Sequence, residues 1–219
     1  MFRSPAVDPQ DPVRAGVVAV TGAIIAGGAG RRMGIDKRGL IVEGVPLLRR
    51  VADVLAEVVD EIIVACRPES PPEPGLLAGL EVRLVFDRLV DAGPLAGLES
   101  ALREARNDLV VVVAGDMPWV APEILRLLLA EARRRPSASC VALRTERGLE
   151  PLLAVYRRST LAQVTGLLAS GQRRMHALLD ALEPAEVGLE AWHRADPSGR
   201  TALNLNDPAD LARLEARLA

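Results

Sequence analysis

The residues best suited to chemistry lie in one run, Ala26-Gly27-Gly28-Ala29-Gly30-Arg31-Arg32-Met33-Gly34-Ile35-Asp36-Lys37. Glycines let a backbone turn tightly and approach a ligand closely, because no Cβ stands in the way. Arg31, Arg32 and Lys37 bring positive charge to the same loop. Backbone N–H groups combined with cations are how proteins hold polyphosphate. The stretch therefore predicts a nucleoside-triphosphate loop. Two common phosphate loops do not fit it. A P-loop needs a Lys-Ser/Thr pair after its last glycine, and Ile35 follows Gly34 here. A dinucleotide fingerprint needs a third glycine where Met33 stands, and a helix directly afterwards.

The elements that must position this loop alternate. The apolar run Val17 to Ile25 reads as a buried strand leading into it. Leu40 to Val42 reads as a short strand and Glu43 to Pro46 as a turn, with Pro46 opening a helix. Leu47, Leu48, Val51, Ala52, Leu55, Val58 and Val59 recur at helical spacing. Strands are predicted at Ile62–Ala65, Val82–Phe86 and Leu109–Ala114, the last stopping at Gly115-Asp116-Met117-Pro118. Helices are predicted around Leu95–Ala105 and from Pro122 to about Arg135. Continuous apolar strands alternating with amphipathic helices give an α/β fold, a Rossmann-like three-layer arrangement with a mostly parallel sheet. In the second half, Ser139–Leu143 and Pro151–Tyr156 are strand candidates around Glu146-Arg147-Gly148, and Val187–Leu189 is another. Ser159–Leu168 and Arg174–Leu182 read as helices, and Asp207-Pro208 caps a last one.

The 219 residues suit one domain, 17–219, after an N-terminal segment 1–16 expected to be disordered. A net charge of −2 and only five aromatic residues offer neither a basic patch nor a stacking row, so a nucleic-acid partner is not expected. No apolar run has the length of a membrane span. Asp8 and Asp11 before the first apolar run argue against a signal peptide. Cys66 and Cys140 make no disulfide framework or metal spacing, which points to a reducing cytoplasm.

From Ile25 to Lys37 the chain resembles the loop (I/L)-A-G-G-x-G-x-R-M-G-x-D-K of sugar-nucleotide-type nucleotidyltransferases. The Asp36-Lys37 version is similar to that of the molybdenum cofactor guanylyltransferase family. Further resemblances follow in the family's order: Gly93-Pro94-Leu95-Ala96-Gly97, Gly115-Asp116-Met117-Pro118, Glu150-Pro151-Leu152 with Tyr156, Gly171-Gln172-Arg173-Arg174, and Asn204-Leu205-Asn206-Asp207-Pro208. One departure concerns the base. Where the family commonly carries an Asn-x-Asn sequence that reads the purine, this chain has Val64-Ala65-Cys66-Arg67, and a thiol is a weak hydrogen-bonding group.

The resemblance implies transfer of GMP from GTP to the phosphate of molybdenum-bound molybdopterin, with Mg²⁺ as cofactor. Protein partners could include molybdenum-insertion proteins and molybdoenzyme chaperones. Lys37 and Arg31 become the catalytic cations, and Asp116, at the end of the central strand, the metal ligand. Ile25, Ala26, Gly27, Gly28, Gly30, Lys37, Cys66, Asp87, Gly93 and Pro94 become the nucleotide site, within a nucleotide half 17–118. Arg173, Arg174, Asn204 and Asn206 become the acceptor site, within a half 119–219. Asp36 is read as purely structural in preference to an ion pair that orients Lys37 or Arg31, and His176 and His193 as surface or partly buried residues. Transfer to a different base or acceptor remains open: a cytidylyltransferase, or sugar, lactate or cobinamide phosphate as acceptor. So does a non-catalytic binding module.

Overall fold

The computed structural model describes residues 18–27, 36–89 and 92–205. The N-terminal segment and the last helix expected after Asp207 lie outside them. The first strand, β1 (Val20–Ile25), is buried along its whole length, as its mostly apolar sequence requires; its one polar side chain, Thr21, donates to Glu61 at 2.7 Å. A small hairpin follows, β2 (Ile41–Val42) and β3 (Val45–Pro46), and then α1 (Leu47–Ala56). Pro46 thus stands just before the helix rather than in it. The helix also stops sooner than its apolar spacing suggests. The amides of Val58 and Val59 turn back onto Leu55 O, and Asp60 N donates to Val20 O at 2.9 Å, which launches β4 (Glu61–Cys66) beside β1.

The chain continues through β5 (Val82–Phe86), α2 (Pro94–Glu104), β6 (Leu109–Ala114) and α3 (Pro122–Arg134). Helix α3 begins on a proline, carries Glu123 in its first turn and Arg133 and Arg134 in its last, which complements its dipole. The second half holds β7 (Cys140–Thr145), β8 (Gly148–Arg157), α4 (Leu161–Ala169), α5 (Met175–Leu182), β9 (Ala185–Val187) and α6 (Leu189–Ala195). Leu189 opens α6 and does not extend the strand. This helix is absent from the sequence reading because it presents a single buried anchor, Trp192, too little to register as periodicity.

The sheet has seven strands in the order β5-β4-β1-β6-β8-β7-β9. All neighbouring pairs are parallel except the two that β8 makes, with β6 and with β7. Helices α1, α3 and α6 cover one face around Ile24, Val64, Val111 and Val113. Helices α2, α4 and α5 cover the other around Ile25, Ala65, Val112 and Tyr156. The result is the expected three-layer α/β architecture. Strand β1 sits between β4, which the chain reaches through α1 on one face, and β6, which it reaches from β5 through α2 on the other. A crevice therefore opens at their C-terminal ends.

The β7–β8 register breaks between Ala142 and Leu143, so Pro151 to Leu153 have no β7 partners. Such bulges bend a strand and re-aim its side chains. Tyr156 holds this one: its fully buried hydroxyl donates to Pro151 O at 2.8 Å. Tyr156→Phe should therefore cost about 1–2 kcal/mol, because a buried carbonyl loses its donor. Urea unfolding of the two proteins measures the difference.

Candidate active site

The end of β1 is tied to both neighbours. Ala26 N donates to Ala65 O at 2.8 Å, and Gly115 N donates to Ile25 O at 3.0 Å. Those bonds set the loop after β1 beside the loop after β6. Gly27 lies so close to Asp87 that a Cβ there would stand 2.9 Å from Asp87 Oδ2. On the far rim, Gly93 caps α2 with φ 69° and ψ −163°, a conformation that only glycine adopts without strain. Ile25, Ala26, Gly27, Lys37, Gly93, Pro94, Gly115 and Asp116 line one cleft.

Lys37 opens a one-turn 3-10 helix, Lys37–Gly39. Asp36 caps that turn by accepting from Arg38 N at 3.0 Å. Its carboxylate also grips the Arg38 side chain, with Nε to Oδ1 at 2.8 Å and Nη2 to Oδ2 at 2.7 Å. The buried Arg38 guanidinium then reaches across to Ser70 O at 2.8 Å and Ser70 Oγ at 3.0 Å. Asp36 is structural, as expected, but its partner is Arg38, not Lys37. The clamp leaves Lys37 lining the cleft and anchors its turn to the loop after β4. Those bonds to Arg38 hold the Asp36 carboxyl below the usual range.

Asp116 lines this cleft, Asp87 stands against its Gly27, and Glu150 lies near enough to feel the Asp116 charge. Burial raises the pKa of Asp116, against the opposing pull of Lys37. Burial likewise raises Asp87, whose Oδ1 is buried without a hydrogen-bond partner among the described residues. Glu150, just before the β8 bulge, is raised by burial and further by the Asp116 charge, with His176 pulling the other way. Carboxylates held out of water beside a lysine make a site that gains from incoming cations and donors.

Most nucleotide-site residues read from the sequence that the structure describes meet here. Cys66 does not: it is fully buried, and burial pushes its thiol up to about 11. Its carbonyl instead accepts Asp87 N at 2.9 Å, so Cys66 supports Asp87 through the backbone. Arg173 turns its Nη1 onto Leu168 O at 2.9 Å and lines a neighbouring groove, touching the cleft only where its carbonyl faces Gly93. Arg174 is exposed at the start of α5. Asn204 is exposed beside Leu205, whose N donates to Asp116 O at 2.9 Å. His176 and His193 are exposed, and His193 Nε2 meets Glu146 at 3.0 Å. Gly28, Gly30, Arg31 and Asn206 lie outside the described residues. The sequence reading missed Arg38, Arg67 and Leu152 in the cleft lining and Glu150 beside Asp116. Signals were available in the arginine directly after the Asp-Lys pair, in the Glu150-Pro151-Leu152 stretch and in the Arg67 that follows Cys66, but none of them by itself places a side chain at the cleft.

A glycine leaving β1 and a buried carboxylate leaving the adjacent β6, gathered with a lysine in one cleft at the end of a largely parallel sheet, suit a nucleotidyltransferase. The chain belongs to the family described as the MobA-like NTP transferase domain, whose model matches residues 22–187. It is 39% identical over 203 residues to a probable molybdenum cofactor guanylyltransferase of Deinococcus radiodurans, covering 92% of this chain and 96% of that one. It is 36% identical over 202 residues to a protein of the same description from Chloroflexus aggregans, covering 91% and 95%. Among solved structures it resembles molybdopterin-guanine dinucleotide biosynthesis protein A from Archaeoglobus fulgidus, with a TM-score of 0.76, 28% identity, and 90% of this chain and 98% of that one covered.

Two outcomes follow from the site's electrostatics and packing. Asp116 has a folded pKa above its unfolded value, so the wild type loses stability as pH rises from about 4 through that folded value. With chelator and no nucleotide, Asp116→Asn should be the more stable protein at pH 7, and its advantage should shrink below about pH 4. Thermal unfolding across that range reads it. Arg38→Ala, by releasing Asp36 and the Ser70 carbonyl, should cost about 1–3 kcal/mol and raise KM for the nucleotide. Denaturation and steady-state kinetics check the two halves.

Proposed function

We propose that this protein is a molybdenum cofactor guanylyltransferase, moving GMP from GTP to the phosphate of molybdenum-bound molybdopterin. The observation that carries the reading is the convergence of Lys37, the Gly27 loop and Asp116 in one cleft, within a chain similar over nine-tenths of its length to proteins of that description. An oxygen of the acceptor phosphate attacks the α-phosphorus of GTP. The bond from that phosphorus to the bridging oxygen breaks, and pyrophosphate leaves. The nucleophile is already anionic, so the protein's work is to position two anions and offset their charge.

In this reading Lys37 and Arg31 contact phosphate oxygens, and N–H groups of the Gly27–Gly30 loop cradle them. Asp116 would hold a divalent cation, Mg²⁺. One buried carboxylate of hard oxygens suits that ion, which takes its remaining ligands from phosphates and water. Once bound, the cation supplies neutralising charge at the phosphates. The Asp87 carboxylate, packed against Gly27 at the edge of the cleft, would accept from guanine N1–H and N2–H₂, a pair of donors that cytosine lacks. The base preference thereby rests on Asp87 rather than on the enclosed Cys66. In the same reading 17–118 would serve as the nucleotide half and 119–219 as the acceptor half, with Arg173, Arg174, Asn204 and Asn206 as acceptor residues. The described part holds no helix long and apolar enough to cross a membrane, and its two buried free thiols suit a reducing cytoplasm. Molybdenum-insertion proteins and molybdoenzyme chaperones are its expected protein partners.

The test is pyrophosphate release with each nucleoside triphosphate, Mg²⁺ and molybdenum cofactor. GTP should be preferred, and Asp116→Ala or Lys37→Ala should each lower kcat/KM by about 100-fold or more. Equal turnover of CTP by the wild type would remove the guanylyl assignment.

A further inference from the structure

The β2–β3 turn is built on Glu43 and Gly44, with φ 49° and 83°. Positive φ at both central residues is the type I′ hairpin geometry, in which Asn-Gly is the favoured pair. A glutamate there keeps a left-handed conformation that is strained for an L-residue with a Cβ. Its side chain has an evident occupation. Glu43 Oε1 accepts from Trp119 Nε1 at 3.0 Å and from Arg200 Nη2 at 3.0 Å, and Oε2 accepts from Arg50 Nη2 at 2.9 Å. Arg200 also lies over the Trp119 ring, 4.5 Å from its centroid. The donors keep the Glu43 carboxyl below its ordinary range, with Trp119 the strongest influence.

Those three donors converge on one short segment, the loop bearing Asp116: Trp119 belongs to it, and Arg50 and Arg200 both touch it. Arg50, besides meeting Glu43, sends Nε to Pro118 O at 3.1 Å and Nη1 to Val42 O at 3.3 Å. Trp119 directly follows Pro118. Arg200 leads into Leu205, whose amide holds Asp116 O. The carboxylate is itself about half exposed, at 49%. Its ion pairs therefore contribute little to global stability. What the arrangement supplies is geometry: one carboxylate joins the hairpin, α1, the Asp116 loop and the C-terminal segment.

We infer that Glu43 is a positioning residue, holding the Asp116 loop in its cation-binding shape through Trp119, Arg50 and Arg200. The inference rests on Asp116 as the cation ligand. The experiment uses the full chain with GTP and Mn²⁺ as the probe, comparing wild type, Glu43→Asn, Glu43→Gln and Asp116→Ala. Calorimetric titration reads Mn²⁺ affinity, kinetics read kcat and KM, and thermal unfolding reads stability. Glu43→Asn suits the turn better but is too short to reach the three donors. It should keep or raise Tm while weakening Mn²⁺ binding and lowering kcat by about tenfold each, with KM for GTP nearly unchanged. Glu43→Gln retains one accepting oxygen and should fall between wild type and Glu43→Asn. It also decides the matter should Glu43→Asn fail to fold. Wild-type Mn²⁺ affinity and kcat in the folded Glu43 variants, with Asp116→Ala unable to bind Mn²⁺, overturn the inference alone. Wild-type Mn²⁺ binding by Asp116→Ala overturns the assignment of Asp116, and the inference with it.

Discussion

The hydrogen bond from Gly115 N to Ile25 O, 3.0 Å long, carries the ladder between β1 and β6 past the last paired residues of the two strands. Because of it, the loops leaving these strands start side by side. Gly27 and Asp116 then enter the cleft from neighbouring stems and not from across an open sheet. The remaining walls take their places from this junction. Asp87 packs against Gly27, Gly97 of α2 against the Ile25 side chain, and Leu205 closes onto the Asp116 carbonyl. Parallel strands with both faces buried make such a junction rigid, because neither strand can slip without turning its apolar side chains out of register.

That rigidity is spent on a destabilising cluster. Asp87, Asp116 and Glu150 are all held where burial disfavours their charge. The apolar layers on the two sheet faces, dominated by Leu, Val, Ile and Ala, supply the stability that lets this be tolerated. Elsewhere, buried and half-buried carboxylates are matched to arginines: Glu99 to Arg103, Glu131 to Arg135, and Glu61 to Arg83. The contrast separates carboxylates that serve the fold from carboxylates left for a ligand.

Much of the architecture was readable from short-range pattern. The six residues of β6 are all apolar and all buried, and α3 announces itself with a proline start and an amphipathic stripe. The errors fall where long-range contacts override local periodicity. Helix α1 stops before Val58 because Asp60 must pair with Val20. Helix α6 forms around Trp192 alone. The β8 bulge depends on a hydroxyl five residues along the strand and on register with β7, neither of which leaves a pattern in composition.

By itself, the sequence determined the fold class, the kind of loop after β1 and the strand-end aspartate, since each is carried by neighbouring residues of distinctive type. Glycines, cations and a carboxylate next to unbroken apolar runs state their chemistry without reference to distant partners. Tertiary structure alone decided which groups cooperate. It paired Arg38 with Ser70, enclosed Cys66, set Asp87 against Gly27, brought Glu150 near Asp116 and gathered Trp119 and Arg200 around Glu43. Partners such as Arg38 and Ser70, Gly27 and Asp87, or Glu43 and Trp119 are separated by tens of residues, and their contacts follow from strand order and register, which exist only once the sheet has formed.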